Sequence, residues 1–209
     1  MSKRAGAVPQ ETRGRILSAA AAEFAERGFQ GSSLRGICSA AGVTTGALYF
    51  FFEGKDDLFE TVLSEATEPF NRLVAEHYRQ ERLSSRRDSQ EGGDADLEVT
   101  KLVIDLYFRH RQAWDILMGH LNHPAVQAFL DGFIDESTQH YRALLEETTP
   151  NRQMDLFAIH QFVHMQVDTM LTLFSHGFSR EEMIMHSKTV VCMLRGAFCA
   201  LLNDEAIRG

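Results

Sequence analysis

Residues 33–55 read SLRGICSAAGVTTGALYFFFEGK, two short helical stretches on either side of a glycine. Ser33 is a residue type whose side-chain oxygen caps a helix start, and Leu34, Ile37, Ala40 and Ala41 follow at the spacing of an inward face. Gly42 supplies the left-handed residue that reverses the chain sharply, and Val43 covers the turn from its apolar side. Thr44 can cap the second helix. The first turn of that helix, Thr45, Gly46 and Ala47, is small enough for the backbone to approach a groove wall; Leu48 points inward and Tyr49 carries a hydroxyl outward. Residues 33–52 have the layout of a helix-turn-helix that reads DNA.

The flanks sharpen this reading. Upstream, TRGRILSAAAAEFAERGF over 12–29 places Ile16, Leu17, Ala20, Phe24 and Ala25 at helical spacing and ends on Gly28. Downstream, Lys55 opens a helix with Asp56 and Asp57 at the positive end of its dipole and Leu58 and Val62 on its inner face. The ordered set of Thr12, Ala20 to Phe24, Gly28-Phe29, Ile37, Ala41-Gly42-Val43, Gly46, Leu48-Tyr49, Phe52, Lys55 and Leu58 resembles the amino-terminal domain of the TetR family of transcriptional regulators. It covers nearly all of residues 12–62. Departures are Phe51, where the family often has histidine, Cys38 in place of a small alanine, and Gly36, which weakens its helix by roughly 1 kcal/mol relative to Ala.

The resemblance implies an all-α protein: a three-helix DNA-binding domain over 10–70 and a larger helical domain over 71–209 for effector binding and dimerisation. It implies a repressor that leaves a palindromic double-stranded DNA operator when a small effector binds, and the aromatic and methionine-rich candidates for lining its site would suit a largely apolar one. Ser33, Arg35, Thr44, Thr45, Tyr49 and Lys55 are then expected at phosphates, and Thr45, Gly46 and Ala47 nearest base edges.

Charge agrees once it is divided along the chain. The total is −8, yet residues 1–55 hold seven Lys or Arg against four Asp or Glu, a net of +3, and the remainder is −11. Only the first segment suits phosphate. With 44% hydrophobic and 24% charged residues the composition is that of a soluble globular protein. The start, MSKRAGAVPQ, has no apolar core of a signal peptide, and the apolar stretch 189–202 is interrupted by Arg195, so no membrane partner and a cytoplasmic location are expected. Three scattered cysteines outline no disulfide or zinc framework.

Beyond the reading head the pattern stays helical: 55–87 with Pro69 inside it, a polar connection over 84–96, then 97–111, 112–121, 124–148, 153–175 and 180–207. The last two are apolar nearly all round, which predicts burial against their own domain on one side and a second subunit on the other. Candidates for lining an effector site are Phe108, Trp114, Met118, Phe129, Phe133, Phe162 and Met165, with Tyr107 and Met170 beside them. His160, His164 and Asp168 recur at i, i+4 and i+8, a spacing that could hold a divalent metal but that polar residues facing a partner helix explain as well. No metal or other cofactor is expected on that basis. A metal sensor, or a redox sensor using Cys192 and Cys199 on a buried helix face, is the alternative regulator. No glycine-rich phosphate loop, GxSxG elbow or HExxH pair is present, so a non-enzyme is expected.

Overall fold

A computed structural model describes residues 9–83, 90–148 and 155–202. Among these residues there are nine helices and no strand. They are α1 (Pro9–Gly31), α2 (Leu34–Ala41), α3 (Thr45–Phe51), α4 (Lys55–Leu83), α5 (Gln90–Arg109), α6 (Arg111–Met118), α7 (Pro124–Thr148), α8 (Leu156–Ser175) and α9 (Arg180–Leu202). The chain divides into two compact units: Met1–Glu68 with His110–Val126, and Pro69–Arg109 with Gln127–Gly209. The division falls at Pro69 inside α4, and α6, in the stretch 71–209 expected as the second domain, is grouped with the first unit.

The first unit is built on α1, against which α2, α3 and α6 pack. Its core comprises Ile16, Ala20, Phe24, Ile37, Leu48, Leu58 and Phe59, all buried. Phe59 is the hub of an aromatic cluster: its ring centroid lies 5.0 Å from Phe24, 5.0 Å from Phe29, 5.3 Å from His120 and 4.4 Å from His123. Gly28 breaks α1 near its end with φ 66°, ψ 174°, a conformation that side-chain-bearing residues avoid. The imidazole of His120 lies 3.3 Å from where a Cβ at Gly28 would stand. That ring ties two elements together. Its Nε2 accepts the Phe29 backbone N–H at 2.8 Å, and its Nδ1 lies 2.6 Å from the carbonyl of Ile116, so Nδ1 carries the proton and donates.

In the second unit α5 and α8 both pack on α9. The helix α5 starts at Gln90, so residues 90–96, expected as part of a polar connection, are helical; residues 84–89 lie outside the described set. The reason is tertiary. Arg195 of α9 donates to the Asp96 carboxylate at 2.8 Å, which anchors this Gly-containing turn to a neighbouring helix despite its poor intrinsic propensity. The span Arg180–Leu201 of α9 is by length and composition long and apolar enough to cross a bilayer, which the sequence reading had not allowed. Its inner side takes part in the unit through Arg195, Phe198 and Met183, while Met185 and Met193 are exposed in the single chain.

Candidate DNA-reading face and effector cavity

The turn between α2 and α3 forms as its residue types dictate. The Ser33 hydroxyl accepts the Gly36 N–H at 3.0 Å, and the Thr44 hydroxyl accepts the Ala47 N–H at 3.1 Å. Gly42 sits at φ 64°, ψ 39°, and the N–H groups of Gly42 and Val43 return to the carbonyls of Ser39 and Cys38. Ile37, Cys38, Ala41, Leu48 and Phe52 are buried, whereas Ala40, expected inward, is exposed. Ser33, Arg35, Thr44, Thr45, Gly46 and Tyr49 are all exposed, with Ala47 half-buried. As a capping hydroxyl accepts through oxygen, the O–H protons of Ser33 and Thr44 stay available to donate.

Phe50, which the sequence reading left out, is 77% exposed beside Tyr49 at 55%. A signal existed: Leu48 and Phe52, at i and i+4, define the inner face, and Phe50 between them must point away. In a run of three phenylalanines that offset is easily read as uninterrupted core.

Lys55, expected at a phosphate, also has partners within the chain. Its ammonium donates to the carbonyls of Phe29 at 2.7 Å and Ser32 at 3.3 Å, and lies 4.4 Å from the Phe29 ring centroid. Two N–H donors are thereby engaged in holding the end of α1 against the start of α4. Charged hydrogen bonds of this kind contribute about 1.5–3 kcal/mol, so Lys55→Ala should lower the urea midpoint of the first unit. In DNA-binding assays it should leave the salt slope of affinity unchanged; loss of a phosphate contact would instead flatten that slope by about 0.9.

The second unit contains a partly open cavity of about 330 Å³. Phe70 and Val74 of α4, Val99 and Val103 of α5, Phe133 of α7, Phe162 and Met170 of α8, and Val191, Leu194 and Phe198 of α9 form its apolar wall. Among the sequence candidates, Phe133, Phe162 and Met170 line it. Phe108, Trp114, Met118, Phe129 and Met165 do not: Trp114 is buried and belongs, with Met118, to the first unit, Phe129 packs on Phe70, and Met165 is exposed. Aromatic content marks a core without saying which core.

The cavity also has a polar side that the sequence reading missed, made of His77, Tyr78, Glu81, Asp96, Tyr141, Gln166 and Arg195. Asp96 pairs with Arg195 at 2.8 Å and faces His77 at 3.8 Å. Glu81 pairs with His140 at 2.8 Å, the His140 ring stacks on Tyr78 at 3.9 Å, and the Tyr78 hydroxyl donates to Ser137. Gln166 donates to the Tyr141 hydroxyl. Burial pushes both tyrosines well above their ordinary range, so they are neutral hydroxyls. Burial also pushes Glu81 up, but the His140 hydrogen bond and the charges of His140, His77 and Arg195 outweigh it and hold Glu81 low; burial dominates at Asp96, which is raised.

A carboxylate whose folded pKa is depressed contributes stability above its unfolded value and loses it as pH falls through the folded one. Acid unfolding below the ordinary 4.5 of glutamate should therefore include Glu81. Urea midpoints measured between pH 6 and pH 3 should fall less steeply in Glu81→Gln than in the parent; identical slopes would remove Glu81 from acid unfolding.

On α8, His160 and His164 lie with Nε2 atoms 3.0 Å apart, both outside the buried core. Among the described residues no third His, Cys, Asp or Glu completes a metal-binding group within one chain, so Asp168 does not join them. Cys192 and Cys199 are exposed, not buried as the sequence reading had them, and Cys38 is the buried thiol.

Residues 16–62 match the family model described as "Bacterial regulatory proteins, tetR family". The chain is 42% identical over 77 residues to the HTH-type transcriptional repressor BepR of Brucella suis, covering 37% of each chain. It is 43% identical over 68 residues to the HTH-type transcriptional regulator AcrR of Shigella flexneri, covering 32% of each. These alignments span about a third of the length of those relatives. Over nearly the whole chain the fold is similar to that of GusR from Salmonella enterica, with 25% identity, a TM-score of 0.63, and 94% and 97% of the two chains covered.

Proposed function

We propose that this chain, whose residues 16–62 match the model of the TetR family of bacterial regulatory proteins, is a homodimeric transcriptional repressor of that family, acting in the cytoplasm on a palindromic operator and released by a small effector. The observation that carries this reading is the α2–Gly42–α3 turn, closed on its inner side by Ile37, Leu48 and Phe52 and presenting Arg35, Thr44, Thr45, Gly46 and Tyr49 outward. Ser33, Arg35, Thr44 and Tyr49 hold phosphates, as hydroxyl and guanidinium donors do without regard to sequence. Thr45, Gly46 and Ala47 approach base edges, and the exposed ring of Phe50 offers an apolar contact to a thymine methyl.

The second unit binds the effector in its cavity, whose apolar wall takes the body of a small molecule and whose polar side orients it. A polar group on the effector can meet the Tyr141 and Gln166 pair or the Asp96 and Arg195 pair. The chemistry throughout is binding, not bond-making.

The deciding experiment is a gel shift of the purified protein on DNA from upstream of its own gene, followed by selection from a random pool. Tyr49→Ala should weaken binding to every sequence alike and flatten the salt dependence, while Thr45→Ala should change the selected consensus. No sequence-selective shift by the parent would sink the regulator reading. A thermal-shift screen of apolar compounds, repeated in a cavity-filling Val191→Trp variant, tests the effector site, because a ligand of the folded state raises its melting temperature by mass action.

A further inference from the structure

We propose that His160 and His164 form half of a divalent transition-metal site that a second copy of this chain completes, an inference that rests on the homodimer reading above. The two Nε2 atoms are 3.0 Å apart on adjacent turns of α8, the ring centroids are 4.4 Å apart, and the rings stand at 74°. Two imidazole nitrogens ligating one ion at about 2.0–2.1 Å each are separated by roughly 2.9–3.4 Å for coordination angles between square and tetrahedral. The pair is therefore set at the spacing of a shared ion with its helix unaltered.

Among the described residues of a single chain no third donor joins these two. Their place on α8 indicates where others come from. Phe157, His160, Gln161, His164 and Asp168 recur at intervals of three and four along one stripe that is exposed except for the half-buried His164, and Phe157 and Met165, 71% and 44% exposed, flank the histidines with apolar surface. Two copies of α8 meeting along this stripe about a two-fold axis bring four imidazoles to one point. Covering the pair without an ion would strip water from its ring nitrogens, whereas four neutral imidazoles around a first-row divalent ion satisfy one nitrogen of every ring. Zinc fits a closed set of four nitrogen ligands best, and the site then fastens the dimer without taking part in DNA contact or effector contact.

Cobalt(II) is the probe, because a four-coordinate nitrogen site gives it intense visible absorption that hydrated ions lack. Titration of the full-length, metal-stripped protein should saturate at one ion per two chains, and zinc(II) should bleach the colour. His160→Gln and His164→Gln, changes outside the buried core to a good helix former, should each abolish the absorption while leaving the melting temperature of the metal-free protein unchanged. Sedimentation keeps the two readings apart. A chain that is monomeric with and without cobalt overturns the dimer and the site together. A dimer that takes up no ion, binds one ion per chain, or keeps its colour in both variants overturns the metal site alone, and the histidines then face polar groups of the partner.

Discussion

Replacing Phe59 by alanine should unfold the first unit under conditions where the parent is stable, and operator binding should vanish with it. Phe59 is fully buried, and its ring meets Phe24 nearly perpendicular at 89° and Phe29 at 65°, both at 5.0 Å, with two histidine rings closing the other sides. Removing such a ring costs about 3–5 kcal/mol through lost burial and the cavity left behind. Whole domains are stable by only about 5–15 kcal/mol, so most of that margin goes. Urea unfolding followed by circular dichroism should show an early loss of helix that is absent from the parent. Phe59→Leu keeps most of the volume and should recover the greater part of the loss. An unchanged midpoint in Phe59→Ala would mean the aromatic cluster is not what holds this unit.

A second large effect is expected from changes that do not disturb the single chain at all. Phe157 on α8 and Met193 on α9 are 71% and 68% exposed, so glutamate at either position should shift the stability of one chain by no more than about 0.5 kcal/mol. If two copies bury these faces against each other, each substitution places a charge, and its two-fold mate, inside an apolar contact. The expected result is a monomer by light scattering with an unaltered helical spectrum. Operator affinity should fall by orders of magnitude, since one reading head engages only a half-site. A stable dimer in both variants would move the interface off α8 and α9. A dimer that persisted while DNA binding was lost would contradict the link between the two.

What could be read from the sequence was whatever depends on a few consecutive residues. Ser33, Gly42 and Thr44 announce caps and a left-handed turn because their chemistry is local, and each takes up the expected role. The start of α5 was misplaced because the support for its Gly-containing first turns comes from Arg195, 99 residues from Asp96. The placing of α6 beside α1 is out of reach of local reading for the same reason: the bond from the Phe29 N–H to His120, in the turn after α6, spans 91 residues. Lys55 was read from its charge, and only the fold shows the carbonyls of Phe29 and Ser32 beneath its ammonium. The polar side of the cavity was invisible because Glu81, Asp96, Gln166 and Arg195 each look like surface residues within their own helices. Their convergence is a property of how four helices pack.

The His120 bond also provides a built-in clock. An amide near a helix end normally exchanges its hydrogen with water whenever the last turn frays. That of Phe29 is closed by the His120 side chain in the turn that follows α6, so fraying of α1 alone does not release it; that turn must draw away from α1 or the imidazole must swing out. The exchange rate of this one amide, followed by nuclear magnetic resonance, reports how often that turn parts from α1. In His120→Leu the same amide should exchange faster while its neighbours in the middle of α1 keep their rates.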